Sequence, residues 1–118
     1  LFYQKCKIIS LMQTFSASVL GNVELTTERK AHVLKAHPEL KPHLKKLSKV
    51  LSDPDEIRIS RLDKNVLLFY KFFAKVKSGK YINVTVKTGD RNYILTAYIT
   101  DRIRAGEKYD PSINSGSY

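Results

Sequence analysis

Cysteine is almost absent: Cys6 is the only one in 118 residues. A single thiol excludes an internal disulfide framework and a cysteine-based zinc knuckle. It suits a reducing compartment, so the expected location is the cytoplasm. Long hydrophobic runs are missing as well. No stretch approaches the ~20 apolar residues of a membrane-spanning helix, so no membrane partner is expected. Ile8–Met12 is too short for the apolar core of a signal peptide. Acidic residues are few, 11 against 21 Lys+Arg, leaving a formal net charge of +10. Chemical signatures are sparse too. There is no HExxH pair, no phosphate-cradling glycine loop and no nucleophile elbow. His32 and His37 fall about 140° apart around a helix, so they share no face. No metal or other cofactor is expected.

What is present suits one domain. Hydrophobic residues make up 42% of the chain and come in patterned runs, which argues against disorder. The length leaves no room for a separate cofactor domain. The compact part is expected at residues 19–104, with a flexible tail over 105–118 and an extension over 1–12. A net +10 on so small a body attracts polyanions and speeds encounter with them. Nucleic acid is the commonest such partner.

The periodicity switches along the chain. Val19–Leu25 reads as a short strand or extended lead-in. Thr26 or Thr27 can cap a helix over Thr27–Ala36, with Glu28 at its positive end. His37-Pro38 breaks it, because the residue before proline avoids the helical region. A second helix is expected over Leu40–Leu51. Leu40, Leu44, Leu47 and Leu51 form its apolar stripe and Lys41, Lys45 and Lys49 the basic one. Ser52-Asp53-Pro54-Asp55 is a turn. Four strands follow, Glu56–Leu62, Val66–Val76, Lys80–Thr88 and Arg91–Thr100, joined by short turns. The fold class is therefore α+β, with N-terminal helices packed on a four-stranded antiparallel meander.

Alternation assigns faces to the strands. The helices should cover Ile57, Ile59, Val66, Leu68, Tyr70, Phe72, Ala74, Ile82, Val84, Val86, Tyr93, Leu95, Ala97 and Ile99. The opposite face then displays Arg58, Ser60, Phe69, Lys71, Phe73, Tyr81, Asn83, Thr85, Lys87, Thr96, Tyr98 and Thr100. Aromatic rings stack bases and Lys or Arg pair with phosphates, so this face can hold nucleic acid. An ordinary solvated sheet carries the same residue types, since Thr and Tyr favour strands.

RNA cleavage needs only a base for the 2′-hydroxyl proton, a cation for the phosphate and an acid for the leaving oxygen. His37 sits at an exposed corner, and imidazoles titrate near neutrality. It can equally be a helix terminator. Arg29 and His32 share one helix face, as any surface pair would. Lys71 lies in an apolar strand, facing either a site or solvent. Tyr98 can donate a proton, stack a base or fill the core. His43 reads as surface.

The string Leu25–Glu39, LTTERKAHVLKAHPE, resembles the ER…H…HPE opening of small nuclease-like domains of phages and mobile elements. These belong to the barnase–EndoU–colicin–RelE fold group. Ser52-Asp53-Pro54-Asp55, Phe69-Tyr70-Lys71 and Thr96-Ala97-Tyr98 fit the same pattern, and the resemblance spans Leu20 to Gly106. It implies N-terminal helices before a four-stranded antiparallel sheet, and ribonuclease activity. The matching positions are Arg29, His32, His37, Lys71, Thr96 and Tyr98. The expected activity is a metal-independent endoribonuclease, toxin-like, acting on RNA such as tRNA to leave a 2′,3′-cyclic phosphate. An acidic antitoxin or immunity protein is a further expected partner. The expected catalytic residues are His37, His32, Lys71 and Tyr98. Arg29, Arg58, Asn83, Thr85, Thr96 and Thr100 would bind the nucleic acid. The alternative is a non-catalytic RNA- or DNA-binding module using the same face. One tension stands: with helices on the apolar face, His37 reaches the other face only around an edge.

Overall fold

The computed structural model describes residues 12–103 and 107–108. The described residues open with a hairpin, β1 (Met12–Ala17) and β2 (Gly21–Thr26), paired antiparallel. This corrects the expected lone strand over 19–25 and extends the compact part back to Met12. The alternation of β1 is weak, since only Phe15 and Ala17 are buried. Its turn places Val19 at φ +61°, a conformation that branched residues seldom adopt. Residues 1–11 of the expected extension lie outside the described residues.

The first helix, α1, spans Thr27–Ala36, as expected. Thr26 stays extended and its Oγ1 accepts from the Arg29 backbone N–H at 3.0 Å. That satisfies one of the free amides at the helix start. The His37 N–H closes the last turn on the Val33 carbonyl at 2.8 Å, and Pro38 prevents continuation.

The expected second helix is divided. Pro38–Lys46 is a 3-10 segment, and only Leu47–Ser52 (α2) is α-helical. Pro42 has no N–H to offer the Pro38 carbonyl, so the α ladder cannot start there. The leucine stripe survives the change. Leu40, Leu47 and Leu51 are buried, with Leu44 packed beside them, while Lys41, Lys45 and Lys49 are exposed.

Four strands follow: β3 (Glu56–Ile59), β4 (Val66–Phe73), β5 (Lys80–Lys87) and β6 (Tyr93–Thr100). They pair antiparallel in succession. The sheet is nevertheless not a four-stranded antiparallel meander. Among the described residues it has seven strands in the order β1-β2-β6-β5-β4-β3-β7, and β2 joins β6 in parallel at Glu24 and Tyr93. The last strand, β7 (Glu107–Lys108), pairs with β3. The rest of the expected tail, 105–106 and 109–118, lies outside the described residues.

Register corrects two of the assigned faces. Phe69 stands opposite Val84, Lys71 opposite Ile82 and Phe73 opposite Lys80, so all three lie on the face that packs the helices. Tyr70 takes the other face, opposite Asn83. On β6 an irregularity at Thr85/Val86 pairs Thr96 with Thr85 and Ile94 with Val86, leaving Leu95 extra. Such a bulge reverses the alternation beyond it. Ile94 therefore enters the core, and Tyr93 turns out at 41% exposure. The core runs from Phe15, Val23 and Leu25 of the hairpin through Val50 and Leu51 to Phe69, Val84 and Ala97.

Candidate functional site

Helix α1 lies beside β6. Only Tyr93, at the start of β6, pairs with β2. Between α1 and β6 runs a seam that collects most of the chemically interesting side chains.

At one end stands His37. Its backbone leaves the helical region at φ −134°, ψ 70°. Its ring centroid lies 5.6 Å from that of Tyr98, tilted by 36°. Tyr98 faces away from the core, level with Asn83. The histidine thus reaches that face of the sheet around the edge of β6. Glu39, two residues on, approaches its Nδ1 at 3.7 Å.

At the other end is a cleft of about 690 Å³ lined by Arg29, His32, Glu28, Arg91 and Tyr93 among others. Arg91 donates through Nη2 to Glu24 Oε2 at 2.7 Å and through Nε at 3.2 Å. Those bonds, and then the charge of the carboxylate, hold the Arg91 guanidinium still higher than its ordinary value. Arg91, Tyr93, Glu24 and Glu39 are site neighbours that the sequence reading missed. Tyr93 was masked by the unforeseen bulge, and Arg91 by its place beside a turn. Pairing of Glu39 with His37 two residues earlier was the one signal open to local inspection.

The structure does not unite all the expected residues. Lys71 projects on the core face, with Nζ 3.4 Å from Asp53 and 3.6 Å from Asp55. Tyr98 faces the other way, so the two do not share a site. Asn83, Thr85 and Thr100 are buried. Thr85 donates to Asn83 Oδ1 at 2.7 Å, and the Thr100 hydroxyl donates to the Arg102 carbonyl at 3.0 Å. These three are therefore withdrawn from solvent, which corrects their place on an open face. Arg58 pairs with Glu56. Thr96 is half-buried on the same face as Tyr98. His43 is also half-buried, and among the described residues its Nδ1 has no hydrogen-bond partner.

Among the described residues no group of three His, Cys, Asp or Glu side chains is arranged to hold a metal ion. No helix among them is long and apolar enough to cross a membrane. Compared with models of known families, with curated proteins and with solved structures, the chain matches none.

Proposed function

We propose that this protein is a metal-independent endoribonuclease working at the α1–β6 seam. The observation that carries the reading is the approach of His37 to Tyr98 around the edge of the sheet, 5.6 Å between rings. Two proton-transfer groups from distant parts of the chain meet there, on a protein of net charge +10.

In this scheme the His37 imidazole takes the 2′-hydroxyl proton. The 2′-oxygen forms a bond to the adjacent phosphorus and the bond to the 5′-oxygen breaks. The Tyr98 phenol returns a proton to that leaving oxygen. The products are a 2′,3′-cyclic phosphate and a free 5′-hydroxyl. Glu39 orients the imidazole. Arg29 and His32, earlier on α1, flank the phosphates with positive charge. Lys71 serves the fold, tying β4 to the turn after α2.

The test is incubation of purified protein with total RNA in EDTA. Discrete fragments ending in 2′,3′-cyclic phosphate are expected. His37→Ala should lower the cleavage rate by about 10²–10⁴, the usual worth of one positioned base. Full activity in that variant removes His37 from the site. Intact RNA that is retarded on a native gel would instead make this a reversible binding module.

A further inference from the structure

We propose that the sheet face bearing Tyr98 carries a track for single-stranded RNA, beginning at the β4–β5 hairpin tip. Where the track leads rests on the ribonuclease reading; that it binds does not.

The tip presents an aromatic pair. Phe72 and Tyr81 stand opposite each other, with ring centroids 5.3 Å apart in an edge-to-face arrangement. Phe72 is 46% exposed. Its ring lies over Gly79, where a Cβ would come within 3.0 Å of Phe72 Cζ. The absence of a side chain at Gly79 therefore leaves room for the ring, and the glycine also turns the chain.

The turn beneath is itself unusual. Lys77, Ser78 and Gly79 have φ of +47°, +64° and +106°. Non-glycine residues seldom adopt this conformation, and local strain concentrates at functional sites. Charge points the same way. Between Asp63 and Asp90 the chain has six lysines and no acidic residue. Lys71 and Lys87 are paired with aspartates. Lys75, Lys77 and Lys80 make no ion pair among the described residues, so the tip keeps its charge.

Register links the tip to the seam. Tyr81 stands opposite Thr100 and Tyr98 opposite Asn83. Tyr81 and Tyr98 are thus diagonal neighbours on one face, about 7–8 Å apart. Tyr98 meets His37 in turn. The rings of Phe72, Tyr81, Tyr98 and His37 form a line across three strands, over about 10 Å between β4 and β6. Phe72 is exposed, while Tyr81, Tyr98 and His37 are half-buried beside the buried Asn83 and Thr100; the exposed parts of such rings stack unpaired bases, and lysines beside them follow the backbone. A duplex buries its base faces and offers such rings nothing to stack on.

The test is fluorescence anisotropy with a labelled 2′-O-methyl RNA dodecamer, which lacks the attacking hydroxyl. Phe72→Ala, Tyr81→Ala and Phe72→Leu should each weaken binding about tenfold, within the range of a lost base stack. The leucine variant keeps an apolar side chain over Gly79, and thermal melting checks that all three stay folded. Replacing Lys75, Lys77 and Lys80 by Gln should reduce the slope of log Kd against log salt by about 2. Wild-type affinity in Phe72→Leu with an unchanged salt slope in the lysine variant overturns the track. So does equal affinity for the duplex form. If the wild type cleaves no RNA while the track variants lose affinity, the ribonuclease reading fails and the track stands.

Discussion

Asp63 shows how a single side chain works in this protein. Its Oδ1 accepts from the Asn65 backbone N–H at 2.9 Å, and Lys87 on β5 pairs with Oδ2. The hydrogen bond from Lys87, then that from Asn65, lowers the Asp63 pKa below its ordinary value of 3.8. Both bonds favour the charged form, which links the β3–β4 turn to β5. A carboxylate lowered on folding stabilises the fold above its unfolded pKa, and that stability is lost as pH falls through the folded value. Asp63→Asn keeps a side-chain oxygen for the turn but removes the charge. The variant should melt below wild type at about pH 7, and the gap should close near pH 2, below the carboxylate range. Thermal melts at both pH values check this; a gap of equal size at both would refute the ionic role. Other residues are legible only through their partners. Lys71 reads as an isolated cation in an apolar strand, but Asp53 and Asp55 meet it.

At the scale of elements, the β1–β2 hairpin carries the clearest cost. Val19 is 53% exposed and sits at φ +61°. A β-branched residue there places its Cβ against the following carbonyl, at roughly 1–2 kcal/mol. Asparagine tolerates that conformation, and little apolar burial would be lost. Val19→Asn should therefore stabilise the protein by about 1 kcal/mol and raise Tm by about 4 °C. Differential scanning calorimetry measures it; a Tm at or below wild type would show that the turn is not strained. Helix α1 offers a contrast. Its cap at Thr26, first-turn Glu28 and stop at His37-Pro38 all act within a few residues, so its limits could be read directly from the chain. The 3-10 segment is half-legible: Pro42 suits a first turn only if the helix starts at Leu40. Local geometry instead put Pro42 inside a continuous segment beginning at Pro38.

For the whole molecule, the hairpin is part of the core rather than a lead-in. Phe15 and Ala17 are buried with Val23 and Leu25 against α2, and the Ser18 N–H bonds the Leu51 carbonyl at 2.8 Å. Removing β1 exposes that layer and leaves β2 with a single paired position on β6. A chain beginning at residue 18 should be at least about 3 kcal/mol less stable than one beginning at residue 12, the cost of losing a buried phenylalanine. Urea unfolding of the two chains decides it, and equal midpoints would mean the core closes without β1. The positive charge belongs to this scale as well. It is a property of composition, but its usable part lies where lysines are not met by aspartates, which only the folded arrangement selects.

The chain by itself determined what depends on near neighbours. The α1 limits, the leucine stripe, the turns around Asp53, Asp63 and Gly79 and the succession β3 to β6 follow from caps, prolines, glycines and periodicity. Arg29, His32, His37 and Tyr98 could be singled out by residue type and spacing. Tertiary structure decided what depends on pairing across distance. The bulge on β6 turned Ile94 in and Tyr93 out. The β4 register sent Lys71 to the core face and buried Tyr70. The edge of β6 let His37 meet Tyr98. A strand shows the same alternation whichever partner it takes, and a one-residue shift exchanges its faces. Those choices are made by the summed packing of the sheet, which no short stretch of this sequence contains.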